Sequence, residues 1–185
     1  KKIYRIISTL LVISTTSCQD HDQWIYLFDG SSTEGWRGYN SEIMPPNWTA
    51  KDGMLMYDTE LELEQNYNGG ADIIYGKEEF ENFELYLEWR IPEGGNSGIF
   101  YHIKEGYGSP PEVSPEYQLI DDINYARIHD LKSYNEQFGA EDPEKLQDWQ
   151  KTAANYAMHN ADPSKKKLNP AGKWNSSKII FTKKK

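Results

Sequence analysis

Between Phe83 and Arg90 apolar and polar positions take turns, with Phe83, Leu85, Leu87 and Trp89 set against Glu84, Tyr86, Glu88 and Arg90. A repeat of two is the mark of a strand with one buried face. Pro92-Glu93-Gly94-Gly95-Asn96 supplies turn chemistry, with glycines free to take positive φ. Residues 99–103 resume as a strand, and residues 116–121 form the next one after a Pro-rich loop. Upstream, residues 24–28 read as a strand entering the turn Asp29-Gly30. Residues 48–50 and 54–57 pair across Lys51-Asp52-Gly53, since Asp-Gly suits a primed hairpin turn. Residues 71–75 and, at the far end, 178–182 complete the set. Regular short strands with frequent turn signals predict an all-β, two-sheet sandwich.

The stretch 125–161 breaks this pattern. It is polar, and Asp142-Pro143 ahead of residues 144–149 predicts a short helix, with the aspartate as cap and the proline at the first position. Long excursions in compact domains tend to be functional, and this one reads as an ordered loop shaping a cleft over a sheet face. The other departure lies in residues 1–18, where Lys1, Lys2 and Arg5 precede a short apolar run and then small residues. That is the layout of an export leader, too short to span a bilayer as a stable anchor. Ser17-Cys18 resembles the lipidation site of bacterial lipoproteins, although Thr15 stands where a larger aliphatic residue is usual. The expected organisation is therefore a leader over 1–18 and a single β-sandwich over 24–185, exported to a bacterial envelope and tied to the membrane only through lipid on Cys18.

Charge narrows the partners. Asp and Glu total 29 against 20 Lys and Arg, a formal net charge of −9. No basic stripe is present to neutralise phosphates, which argues against nucleic acid. A single cysteine leaves no internal disulfide, so the core must hold the fold. Thirteen Tyr and six Trp in a chain with only 37% hydrophobic residues suit core and sheet-face packing in an all-β domain, and two or three exposed ones are expected to stack on sugar rings.

Candidate chemistry gathers around the last two of the central strands. Glu116 and Gln118 share one face with Ile120 and Asp122, while Tyr117, Leu119 and Asp121 share the other. A carboxylate in a partly desolvated cleft can serve as acid or base. Glu116, His102 and Asp121 are the expected proton-transfer and orienting groups, and Asn96, Ser97, Gln118, Lys104 and Arg90 the expected substrate contacts. Gly98 would permit close backbone approach. His129 and His159, in the excursion, are within conceivable reach. Oxygen ligands from Glu116, Asp121 or Asp122, with His102, would suit Ca²⁺ or Mn²⁺ better than Zn²⁺, though no compact ligand spacing is present.

The segments FENFELYLEWR, GGNSGIFYHI and EYQLIDD, in this order, resemble the 3-keto-disaccharide hydrolase domain family. LFDGSSTEGWRGY, NWTAKDGML and the run 154–181 extend the likeness over nearly all of the chain after the leader. The resemblance implies a concanavalin A-like jelly roll, with further strands beyond residue 185 and hence an incomplete and less stable sandwich here. It also implies cleavage of glycosides already oxidised to a ketone at sugar carbon 3. Relatives carry an acidic residue where Ala157 follows Tyr156. Two other readings compete: a non-catalytic carbohydrate-binding jelly roll, and a glycosidase using Glu84 and Glu88 from one strand face.

Overall fold

The computed structural model describes residues 4–14, 24–64 and 72–183, and these are mostly strands with a few short helices. They divide into two compact units, one of the described residues up to 90 and from 174 onward, the other of residues 91–173.

The first unit is built on a sheet. Its strands are β1 (Tyr4–Ser14), β2 (Trp24–Tyr26), β4 (Trp48–Lys51), β5 (Met54–Asp58), β7 (Phe83–Arg90) and β10 (Asn175–Phe181), in the order β10-β7-β1-β5-β4, with β2 also pairing with β1. A separate ribbon joins β3 (Trp36–Gly38) to β6 (Ile73–Tyr75), and α1 (Thr59–Glu64) follows β5. The alternation in β7 is realised: Leu85, Leu87 and Trp89 are buried and Glu88 is exposed. Each such side chain taken from water stabilises the fold by roughly 1.5–3 kcal/mol. The indole of Trp89 donates to Ser177 Oγ at 2.9 Å, so the buried ring leaves no polar atom stranded. Asp52 and Gly53 both take positive φ, 52° and 75°, which is the primed turn expected between β4 and β5. Several aromatics are structural here: Trp36 meets Tyr75 edge-on, Trp48 packs on Tyr57, and Phe83 stacks on Phe181.

Two sequence readings of this unit shift. Residues 24–28 shorten to β2, because Leu27 and Phe28 turn into the core on the way to the Asp29 turn. Residues 4–14, set aside as part of a leader, form the long strand β1 between β7 and β5, with a register shift between Ser8 and Leu10. Cys18 and Ala71 lie outside the described residues. Among the described residues no helix is long and apolar enough to cross a membrane.

The second unit is a hairpin wrapped by loops. β8 (Asn96–Phe100) pairs with β9 (Glu116–Ile120), and the excursion folds as α2 (Tyr125–Ile128), α3 (Lys132–Gln137) and a 3₁₀ turn over Asp148–Gln150. Asp142-Pro143 starts no helix. Asp142 accepts from the backbone N–H groups of Glu144 and Lys145 and pairs with the Lys145 ammonium at 2.7 Å, and the chain leaves after one turn. A small core of Ile120, Ala126 and Leu146, flanked by Tyr125 and Leu131, fastens the excursion to the end of β9. The excursion is therefore ordered.

Candidate functional site

Register decides what the hairpin displays. Gly98 lies opposite Gln118 and Phe100 opposite Glu116, so these residues share one face with Asn96 and Ile120. Ser97 and Leu119 point to the other side. A third, irregular run lines β9: Gln118 N–H donates to Ala154 O, Ala153 N–H to Gln118 O, and Tyr156 N–H to Glu116 O, each near 3.0 Å. This run sets Tyr156 beside Glu116.

The Glu116 side chain lies across the hairpin, over Gly98. A Cβ at Gly98 would sit 1.8 Å from Glu116 Oε1 and 2.6 Å from its carboxyl carbon. Only glycine leaves room for the carboxylate in this position, which gives the Asn96-Ser97-Gly98 sequence a steric meaning. The phenol of Tyr156 is held neutral. Burial first, then the hydroxyl of Tyr134, hydrogen-bonded to it, and the nearby Glu116 and Tyr125 push its pKa up to about 12. Asn96 Nδ2 donates to the Tyr125 hydroxyl at 3.3 Å, and Tyr125 packs against His129 with ring centroids 4.3 Å apart. His129 Nε2 is 2.9 Å from Gly94 O. A carboxylate, three phenols and an amide thus converge on one face of the second unit.

The backbone around Tyr156 is strained. Ala153 and Ala157 take φ of 69° and 58°, a left-handed conformation that costs an alanine about 1–2 kcal/mol. The run carrying Tyr156 is therefore bracketed by two unfavourable residues, a pattern that clusters where a side chain must be aimed.

The expected site residues fall into three groups. Asn96 and Glu116 belong to this cluster. Gln118 shares their face but is only 3% exposed, and its Oε1 accepts from Leu119 N–H at 3.0 Å. Asp121 is committed to a turn: it accepts from the N–H groups of Gly94, Ile123 and Asn124 and from Asn124 Nδ2. Burial alone would raise its pKa, but the bonds from Gly94, Asn124 and Ile123 outweigh that and hold it below the ordinary carboxylate value. Such a carboxylate anchors chain and is a poor base. Asp122 is likewise engaged, by Thr152 N–H at 2.8 Å and by Lys166. His102 was placed within a strand, but β8 ends at Phe100 and His102 sits exposed in the following loop with φ of 56°. Lys104 is exposed in the same loop. Arg90 belongs to the first unit, its guanidinium 5.0 Å from the Trp174 ring centroid. His159 meets Asn155 through backbone alone in the bonds its segment makes.

No group of three or more His, Cys, Asp or Glu side chains converges as a metal site among the described residues. Two of the three acids expected to ligate Ca²⁺ or Mn²⁺ are already spent on backbone N–H groups and Lys166. As disposed here, the donor set does not fit such an ion.

Sequence reasoning missed Tyr125, Tyr134 and Tyr156. No alternation pattern marks the run that carries Tyr156. Of the Glu84 and Glu88 pair, Glu84 is 2.7 Å from Lys178 and Glu88 is exposed beside the Tyr86 hydroxyl.

Comparison with known proteins adds the family. A 3-keto-disaccharide hydrolase from Bacteroides thetaiotaomicron is 33% identical over 174 residues, which cover 89% of this chain and 54% of that protein. A crystal structure from Parabacteroides distasonis, assigned provisionally as a glycosyl hydrolase, is 35% identical with a TM-score of 0.69, over 85% of this chain and 64% of the other. The chain thus spans a little over half the length of the curated relative. Residues 23–185 match the family described as the 3-keto-alpha-glucoside-1,2-lyase-like domain, and to that family the chain belongs.

Proposed function

We propose that this chain cleaves glycosides whose sugar has been oxidised to a ketone at carbon 3, with Glu116 and Tyr156 as the working pair. The observation that carries the reading is the Glu116 carboxylate laid over Gly98 beside a phenol that stays neutral at pH 7. A C3 ketone acidifies the C2 proton. Glu116 removes it, and the developing enolate oxygen accepts a hydrogen bond from the Tyr156 hydroxyl. The electron pair forms the C1=C2 bond as the C1–O bond breaks, and the proton held by Glu116 passes to the departing oxygen. Water then adds across C1=C2, giving net hydrolysis without an oxocarbenium ion. Asn96, through Tyr125, steadies the rim of the cluster.

A concanavalin A-like jelly roll is the architecture we propose for the whole protein, and the basic and apolar segment before Cys18 is its proposed export signal. The binding-module reading keeps one observation in its favour, the solvent-facing rings of Phe138 and Tyr134.

The deciding assay is turnover of a 3-keto-glucoside bearing a chromogenic aglycone, beside its unoxidised parent, with and without EDTA. Cleavage of the keto-sugar alone, unchanged by EDTA, is expected, with Glu116→Gln slowing it about 10²–10⁴-fold in a folded protein. Near-normal turnover by that variant removes Glu116 from the mechanism. Silence from the parent protein moves the reading to a binding module.

A further inference from the structure

Four rings run outward from the Glu116 cluster. Tyr156 meets Trp149 edge-on with centroids 5.6 Å apart, Trp149 meets Phe138 edge-on at 5.7 Å, and Phe138 packs on Tyr134 at 4.9 Å. The hydroxyl of Tyr134 returns to Tyr156, closing the set into a ring of rings. Its outer members are open to solvent, Phe138 at 56% and Tyr134 at 40% exposure. None of them belongs to the small core of the unit, which is built from Ile120, Ala126 and Leu146. α3 also presents Lys132, Glu136 and Gln137 to water, so Phe138 stands as an apolar face in a polar setting. Covering it would contribute apolar burial that the unit otherwise forgoes.

We propose that Phe138 and Trp149 form a stacking platform for the pyranose that leaves, the half of a disaccharide joined through oxygen to C1 of the oxidised sugar. This deepens the function proposed above and rests on it. The argument is continuity. The platform begins at Tyr156, which borders the carboxylate assigned to C2, and C1 is the neighbouring carbon. A ring attached there lies next to the reacting sugar, and an aromatic face is the surface that accepts the apolar C–H side of a pyranose. Edge-on packing of Trp149 between Tyr156 and Phe138 fixes the platform without covering it.

Phe138→Ala tests this directly, because an exposed ring can be removed with little effect on folding. A 3-keto-disaccharide is compared with methyl 3-keto-glucoside, whose aglycone has no ring. The variant is expected to raise KM for the disaccharide about 3- to 10-fold, leave the methyl glycoside within about 2-fold, and recover with Phe138→Tyr. An equal effect on both substrates, or on neither, overturns the platform.

A second readout is independent of turnover. The indole N–H resonance of Trp149, assigned by its disappearance in Trp149→Phe, is followed during titration with the unoxidised disaccharide and with methyl glucoside. A shift with the disaccharide alone is expected. If neither keto-substrate is cleaved but this shift occurs, the mechanism fails while the platform stands as a sugar-binding surface. No shift, or a change in self-association on Phe138→Ala, assigns the rings to another partner and overturns the proposal.

Discussion

A phenol next to a carboxylate has two ways to behave, and burial selects between them. Were Tyr156 solvent-exposed, its proton would leave near the ordinary value of 10.0; here it is retained up to about 12. The hydroxyl therefore remains a donor beside the Glu116 carboxylate until the pH approaches about 12. Because the folded pKa exceeds the unfolded one, the neutral phenol's contribution to stability is complete below about pH 10 and is lost as the pH climbs towards 12. Subtracting the alkaline absorbance titration of Tyr156→Phe from that of the parent should reveal one tyrosine titrating near pH 12. The same substitution should lower kcat about 10²-fold or more while KM changes little, as expected of a donor needed chiefly in the transition state. A difference titration centred near pH 10 would show that the phenol is not shielded.

At the scale of elements, the turn joining β9 to α2 holds the excursion in place. Asp121 caps it with bonds to Gly94, Ile123 and Asn124, tying the β7–β8 link to the start of α2. Asp121→Ala strands several N–H groups and should cost about 1–3 kcal/mol, seen as a lower melting temperature. With a folded pKa below 3.8, the carboxylate stabilises the fold above that pH and loses its effect as the pH falls through the folded value. The variant should therefore differ most from the parent at neutral pH and converge with it in acid. A constant difference across that range would mean that charge is not what Asp121 contributes.

This turn also shows how far the sequence could be read. The alternation in β7, the Asp52-Gly53 hairpin and the shared face of Glu116 and Gln118 follow from period and turn chemistry, which are local. Asp121 looked catalytic because a carboxylate at a strand end looks alike whether it meets substrate or backbone, and only three-dimensional packing tells these apart. His102 was drawn into a strand by the apolar residues beside it, yet Tyr101 donates to Pro115 O and the chain turns away with positive φ. Tyr156 was hidden for the opposite reason. Its partnership with Glu116 is made by long-range pairing of an irregular run, which leaves no periodic trace.

For the molecule as a whole, β1 connects the two readings of its N-terminus. The strand sits between β5 and β7, pairing with both. A chain beginning at Cys18 lacks that strand, so both neighbours gain an open edge. It should melt several degrees below the 185-residue chain, and equal melting temperatures would show that the strand adds nothing. The seat of β1 also sets an order of events. If the segment before Cys18 is the export signal proposed above, a strand threaded between two others cannot be surrendered to an export channel unless the sheet first comes apart. The pairing of Ile6 with Arg90 joins distant parts of the chain, and contacts of that kind form late. Slow closure would leave a window in which such a signal is still free to be claimed. Any change that hastens β1–β7 pairing would then shut that window.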